Sequence, residues 1–378
     1  MKLYYVASAC MPHKKAYAIQ IAKMCEAFIE GGVDLELILP KQKSENENIK
    51  DYYKLRPELR VIRLPALDFY ASGRWGYFLS SVSFTILYSL YLIFKRLQGK
   101  RGVIYTIDMD TFSFIASVFY GMPCFLETHG GKGGTLLNKI FFKRVKGVVV
   151  INNIIKKQIA DILAFPENRM LVCPNSIDLG LFQSVSKNEA RNRLSLKKDE
   201  KIVMYCGRFY GWKGLEVLVD AAQVIPPGIF IYIVGGTREE FVSISQKTKL
   251  PSNFVFTGEK PYTEIPLWLS AADALLVLGT KHDTQSYYYT SPMKVFEYLA
   301  MKRPIIASKT PAIEDIVSDK EVIFYEPDNY IDLAEKITFS VSYHKSIDNK
   351  IIAAITRVKD FTWQKRAKDI IDFIGKNI

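Results

Sequence analysis

Arg208 and Lys213 stand in one short loop of this 378-residue chain, MYCGRFYGWKG from Met204 to Gly214, punctuated by Gly207, Gly211 and Gly214. An apolar run, Ile202 to Tyr205, leads into the loop, and Leu215, Val217, Leu218, Ala221 and Ala222 follow at helical spacing. The two basic groups therefore lie between a strand and a helix, where open α/β sheets bind ligands. Glycine lets a backbone approach a ligand closely, Arg offers a planar fork of donors and Lys a point charge, a combination suited to a diphosphate. The order GxxxxGK[ST] is absent, so this is not a P-loop; a solvated basic loop is the alternative.

A second segment, TSPMKVFEYLAMKRPIIAS from Thr290 to Ser308, carries the same kind of chemistry. Thr290 or Ser291 is expected as an N-cap with Pro292 at or near the first helical turn, where its missing N–H costs nothing. Val295, Phe296, Leu299 and Ala300 recur at helical spacing, and Pro304 to Ala307 reads as a short buried strand. A helix start offers unpaired N–H groups and partial positive charge to an anion, and Lys294 adds a full charge one turn in. Alone, the segment is equally an ordinary capped helix feeding a sheet.

Holding both segments in place requires alternating strands and helices. Leu3 to Ala7 and Val33 to Pro40 are strand-like and flank a helix over Ala16 to Gly31. Further strands are expected at Arg60–Leu64, Val103–Ile107, Pro123–Glu127 and Gly147–Ile151. The alternation restarts at Lys201–Cys206, Phe230–Val234, Phe254–Phe256, Ala274–Leu278, Pro304–Ala307 and Val322–Tyr325. Pro174 to Glu200 reads as the crossing between two halves, and Lys41 to Asp51 as a polar, mobile excursion. A chain of this length, 49% hydrophobic and 24% charged, is globular, and two domains would each bury an adequate core.

These motifs, in this order, resemble the retaining glycosyltransferases of family 4, with the two-domain GT-B fold of Rossmann-like doubly wound halves facing across a cleft. The resemblance rests on GRFYGWKG and SPMKVFEYLAMKRPIIAS, with VGG at Val234 to Gly236 and FTG at Phe256 to Gly258. It rests also on ETHG at Glu127 to Gly130, PNSID at Pro174 to Asp178 and a closing FTW helix near Trp363. It implies an acceptor-side domain over 1–178, a nucleotide-sugar-binding domain over 179–358 and a closing segment, 359–378, returning to the first domain. The implied reaction moves a sugar from a nucleoside diphosphate, UDP or GDP, to a hydroxyl of a lipid-linked or polysaccharide acceptor in envelope glycan synthesis. Retention at the anomeric carbon, through front-face attack, follows from the same resemblance.

The resemblance implies that Gly207, Arg208 and Lys213 meet the phosphates, together with the helix start at Ser291, Pro292 and Lys294. Glu297 would meet the ribose hydroxyls, and the backbone of Gly258, Glu259 and Lys260 the base. Where the family has a glutamate eight residues before Glu297, this chain has Tyr289, inside a run of three tyrosines; it either positions the donor sugar or fills space, and Asp283 is a spare acceptor for a sugar hydroxyl. His129 ends a strand-like run before GGKGG and by resemblance meets the donor sugar or the reacting region; a structural role is the alternative. Lys14 and Lys15, in PHKKA, replace the glycines of a donor loop and would serve a lipid diphosphate acceptor.

Residues 1–178 hold 24 Lys and Arg against 15 Asp and Glu, and 179–378 hold 27 against 24. A basic first half attracts anionic headgroups or nucleic acid. Lipid is favoured, because Gly76 to Phe94 is uncharged for 19 residues and is followed by Lys95, Arg96, Lys100 and Arg101. Five serine and threonine residues dilute that stretch, so a buried or interfacial helix is expected rather than a spanning one. The resemblance implies a peripheral protein on the cytoplasmic face of the membrane, and five scattered cysteines without a CxxC pair, with no signal peptide expected before Met1, fit a reducing cytoplasm. No RRM, KH or zinc-finger pattern supports nucleic acid. Asp108 and Asp110 form a DxD, a metal motif in the other large glycosyltransferase fold, but no cofactor and no metal are expected here. A nucleotide-sugar epimerase and an inactive donor-binding homologue are the rival readings.

Overall fold

Period-two alternation of apolar residues buried on both sides marks the strands of a sheet covered on both faces. In the strand Lys201–Cys206, Ile202, Met204 and Cys206 enter one core layer while Val203 and Tyr205 enter the other. The computed structural model describes residues 1–42, 48–110, 113–342 and 344–378, which divide into two units. Unit 1 is Met1–Cys173 with Trp363–Ile378, and unit 2 is Pro174–Thr362.

Unit 1 is a seven-stranded sheet of β1 (Lys2–Val6), β2 (Asp34–Pro40), β3 (Arg60–Leu64), β4 (Val103–Ile107), β5 (Cys124–Thr128), β6 (Gly147–Val150) and β7 (Met170–Val172). Their order is β3-β2-β1-β4-β5-β6-β7, all pairs parallel. The edge strand β7 is missing from the sequence reading. Helix α1 (Ala16–Glu30) covers the sheet, with Phe28 packed against the edge-to-face pair Tyr5 and Tyr105. Each such buried aromatic contributes about 1.5–3 kcal/mol relative to exposure. Of the Lys41 to Asp51 excursion, residues 43–47 lie outside the described residues. Its end is ordered as a short helix, Ile49–Tyr53, capped by Asn48, whose side chain accepts from the Lys50 N–H.

Helix α2 (Gly73–Leu97) buries only one face, through Ser80, Ser81, Phe84, Tyr88 and Leu92. Polar contacts clamp it to unit 1. Tyr88 donates to the Ser113 carbonyl, and Tyr91 and Lys95 reach Glu36. Burial alone would raise the Glu36 pKa, but Lys2, Tyr91 and Lys95 hold it down to about 2.

Unit 2 is a six-stranded parallel sheet of β8 (Lys201–Cys206), β9 (Ile229–Val234), β10 (Phe254–Gly258), β11 (Ala274–Val277), β12 (Ile305–Ser308) and β13 (Ile323–Tyr325). The order is β10-β9-β8-β11-β12-β13. Around it lie α3 (Leu215–Ala222), α4 (Thr284–Tyr288) and α5 (Met293–Leu299).

The unit boundaries have a local cause. Asn175 donates from its backbone to Ser291 Oγ and from its side chain to the Ser291 carbonyl, and Ile177 bridges to Thr362. Phe361 packs edge-on against Phe296, 5.0 Å between centroids. Pro174–Asp178 and 359–362 thus lie in unit 2. The C-terminal helix Trp363–Asn377 packs on α1 and β6 of unit 1.

Candidate functional site

The carboxyl ends of β8, β9 and β10 are stitched together in unit 2 by glycine turns. The Gly207 N–H donates to the Val234 carbonyl and the Gly235 N–H to the Gly258 carbonyl. Gly207 and Gly235 have φ of +130° and +131°, and a Cβ on Gly235 would stand 2.8 Å from the Gly207 oxygen. Only glycine fits both conditions, so GR and VGG are one packed unit.

Lys294 projects onto this turn. Its Nζ would be 3.4 Å from a Cβ at Gly207 and lies 3.8 Å from the centroid of the Tyr205 ring. Burial lowers its pKa to about 8, against the opposing pull of Cys206 and Glu297. Burial, followed by the Lys294 charge, pushes Lys213 well below the ordinary lysine value. Lys213 Nζ donates to the Arg208 carbonyl at 2.8 Å and sits 4.8 Å from the Tyr210 ring centroid. Among the described residues neither ammonium has a carboxylate within ion-pair distance. Arg208 pairs with Glu259 at 2.9 Å, with more than a third of each side chain exposed, a weak bond that a ligand can displace.

Helix α5 carries Lys294, Glu297 and Tyr298 at spacings that place them on neighbouring faces. Tyr298 Oη accepts from the Cys206 N–H at 3.0 Å and fixes α5 to the end of β8. Glu297 is buried and accepts from Tyr262 Oη at 2.9 Å. Burial pushes its pKa up to about 7, although the Tyr262 hydrogen bond and Lys294 pull it down.

Some expected placements are corrected. The N-cap of α5 is Pro292, and neither Thr290 nor Ser291 caps it. Ser291 is buried and its hydroxyl is taken by the Asn175 N–H, a tertiary contact that outcompetes local capping. Asp283 caps α4, accepting from Gln285 and Ser286 N–H groups. Tyr289 closes α4: its N–H donates to the Gln285 carbonyl and its ring lies 6.0 Å from that of Tyr288. Gly258 takes φ +75°, and the Lys260 ammonium lies 5.1 Å from the Trp268 ring centroid. The structure thus gathers Gly207, Arg208, Lys213, Gly258, Glu259, Lys294 and Glu297 around one turn, with Ser291 behind it as a tether.

In unit 1, His129 Nε2 lies 2.7 Å from Glu127 Oε1, and Gln20 converges on the same oxygen. Glu127 is fully buried; burial alone would raise its pKa, but Arg366 and then His129 hold it well below the carboxylate range. Arg366, from the C-terminal helix, reaches Glu127 at 2.8 and 3.3 Å and was missed in the sequence; it is one basic residue of an amphipathic helix, with no local signal. Asp108 of the DxD accepts from Thr128 Oγ1, the His129 N–H and Lys132, so it orders the His129 turn. Lys14 and Lys15 are exposed just before α1, in a loop held by Tyr53, whose hydroxyl donates to the His13 carbonyl.

Residues 186–354 match the family model described as glycosyl transferases group 1. Over 206 residues the chain is 27% identical to TuaC of Bacillus subtilis, a candidate teichuronic acid biosynthesis glycosyltransferase, covering 52% of this chain and 48% of that one. It is 23% identical to the alpha-monoglucosyldiacylglycerol synthase of Streptococcus pneumoniae, covering 69% and 62%. The chain therefore spans less than two thirds of the length of these relatives. Among solved structures it is similar to sucrose-phosphate synthase from Thermosynechococcus elongatus (TM-score 0.77, 20% identity, 100% and 99% covered). It is similar also to Anabaena HepE in complex with UDP and glucose (TM-score 0.71, 13% identity, both chains fully covered). Two parallel Rossmann-like sheets, with these likenesses, make the fold GT-B, and residues 186–354 are similar to the glycosyl transferases group 1.

Proposed function

We propose that this chain is a retaining glycosyltransferase of family 4, moving a sugar from UDP or GDP to a hydroxyl of a lipid-linked or polysaccharide acceptor in envelope glycan synthesis. The observation that carries the reading is the crowding of Lys213 and Lys294 against the Gly207 turn. Both lose solvation, their charges repel, and neither has a carboxylate partner among the described residues. Such a pair is destabilising alone and favourable to a bound diphosphate.

In the reaction the acceptor oxygen bonds to the anomeric carbon as the bond from that carbon to the phosphate oxygen breaks. The acceptor proton passes to the departing diphosphate on the same face. Negative charge grows on the diphosphate, so fixed cations that hold it more strongly in the transition state lower the barrier. Lys213, Lys294 and a released Arg208 supply them, and we assign the reaction no metal. Glu297, braced by Tyr262, is the acceptor for ribose hydroxyls, and the Gly258 to Lys260 backbone meets the base. HepE, with UDP in its solved complex, supports UDP as the first donor to try. Unit 1 is read as the acceptor side, with His129 as its candidate for the reacting region and Lys14 and Lys15 for an acceptor phosphate. We place the activity in the cytoplasm, on the inner face of an anionic membrane.

The test is release of nucleoside diphosphate from UDP- and GDP-sugars with membrane lipid extract as acceptor, in the presence of a chelator. Acceptor-dependent release that persists in chelator and is lost in Arg208→Ala supports the reading. Release that vanishes in chelator and returns with manganese refutes the metal-free part, and conversion of donor alone to an epimer refutes transfer.

A further inference from the structure

Helix α2 has two apolar faces, and only one is used by the fold. Phe84, Tyr88 and Leu92 are fully buried in unit 1. On the opposite side Trp75, Leu79, Ile86, Leu90, Ile93 and Leu97 are all exposed, with Trp75 at 78% and Leu97 at 81% of full accessibility. Their spacings of four, seven, four, three and four residues fall on one line of a helix at 100° per residue. A 25-residue helix is about 37 Å long at 1.5 Å per residue, so this is a continuous apolar ridge, not scattered exposure.

We infer that this ridge is a docking surface for an anionic lipid bilayer, with α2 lying in the plane of the interface. Charge argues for the occupant. Unit 1 has 28 Lys and Arg against 16 Asp and Glu, while unit 2 has 23 of each, so the whole net charge of +12 resides in unit 1. Arg74 begins the helix and Lys100 and Arg101 follow its end, all exposed. Lys95, by contrast, is half-buried against Glu36, while Arg96 is exposed with its guanidinium donating to the Tyr120 carbonyl. Basic groups at both ends of an apolar ridge match headgroups around an acyl surface. Burying the ridge against a second copy would bring two strongly basic units together, which disfavours self-association.

The same contacts exclude crossing. The inner face of α2 is tied by Tyr88 to Ser113, by Tyr91 and Lys95 to Glu36, and by Ser80 and Ser83 to the Phe69 and Leu67 N–H groups. A spanning helix would break all of them. An interfacial helix, its outer side chains reaching roughly 5–10 Å into the boundary, keeps them.

This inference rests on the proposed placement at an anionic membrane and deepens it by naming the surface that docks; vesicle binding and nucleotide binding are measured separately, so the failure of one is distinguishable from the failure of the other. Full-length protein is sedimented with phosphatidylcholine vesicles with or without about 30% phosphatidylglycerol, a content that sets a negative surface potential. Wild type is expected to bind the anionic vesicles and to release at high salt, with a blue shift of Trp75 emission that Trp75→Phe removes. The triple variant Leu79→Ser, Ile86→Ser, Leu90→Ser is expected to lose more than about 10-fold in partitioning, since each side chain withdraws apolar area from the interface. Unchanged nucleotide stabilisation in that variant certifies its fold. Equal vesicle binding by wild type and triple variant overturns the inference. So does absence of binding to anionic vesicles, or a sedimentation-velocity dimer that the triple variant dissolves while vesicles bind neither protein.

Discussion

Arg366 forks its guanidinium onto the fully buried carboxylate of Glu127, 239 positions earlier in the chain. The pair joins the C-terminal helix to β5 and orients His129 through the shared carboxylate. Removing one partner of a buried pair leaves the other charge unpaired, at a cost of about 3–5 kcal/mol. Arg366→Ala is therefore expected to destabilise unit 1 by that order in urea, and Arg366→Lys by less. Because the folded Glu127 pKa lies below its unfolded value, the pair's contribution is present above the unfolded carboxylate range and is lost as pH falls below it. Flat stability of the wild type down to pH 3 would contradict this.

Glu297 has the opposite sign. Its folded pKa, about 7, lies above the ordinary value of 4.5, so its ionisation increasingly opposes folding between those limits and by a constant amount above them. A shift of that size corresponds to about 3 kcal/mol. Glu297→Gln is expected to be more stable than wild type at pH 8, by up to that order, and equal near pH 4, while binding nucleotide less well. Melting curves across pH in both proteins check this; parallel profiles would count against it.

Diphosphate binding should take up protons. An anion beside Lys294 and Lys213 raises both pKa values, so near pH 8 complex formation fills a site partly deprotonated in the free protein. Titration calorimetry in buffers of different ionisation enthalpy is expected to show proton uptake that Lys294→Met reduces. The same variant should weaken binding by about 2 kcal/mol, roughly 30-fold, the usual worth of a charged hydrogen bond. Binding with no proton uptake at pH 8 would argue that the anion sits elsewhere.

Gly235→Ala tests the stitched turns. Its Cβ would meet the Gly207 oxygen at 2.8 Å in a backbone region closed to alanine, so the GR loop must shift. A loss of about 1–3 kcal/mol in stability, with weakened nucleotide binding, is expected. Wild-type behaviour in both would show that the turn tolerates movement.

The glycine loop after β8 and the helix of Glu297 were readable in the sequence because apolar spacing and glycine punctuation are local signals. Strands β3, β4 and β8 coincide with the expected limits for the same reason. Ser291 was misread as a cap because its partner, Asn175, lies 116 residues away. Arg366 and the brace from Tyr262 to Glu297 were missed because nothing near either residue in sequence announces a buried partner. The outer ridge of α2 was visible as an uncharged run, but its division into a buried and an exposed face depends on what packs against it. In each case the unread part is a tertiary competition that only the folded chain decides.

The central claim is that the Lys213 and Lys294 turn binds a nucleoside diphosphate without a metal, and thermal stabilisation in chelator by UDP, GDP, ADP and TDP tests it most directly. A ligand that binds only the folded state raises the melting temperature by mass action. One of these nucleotides is predicted to stabilise the wild type, with the effect lost in folded Lys294→Met and Arg208→Ala. A folded wild type that responds to none of them, or a response that both variants retain, would contradict the account.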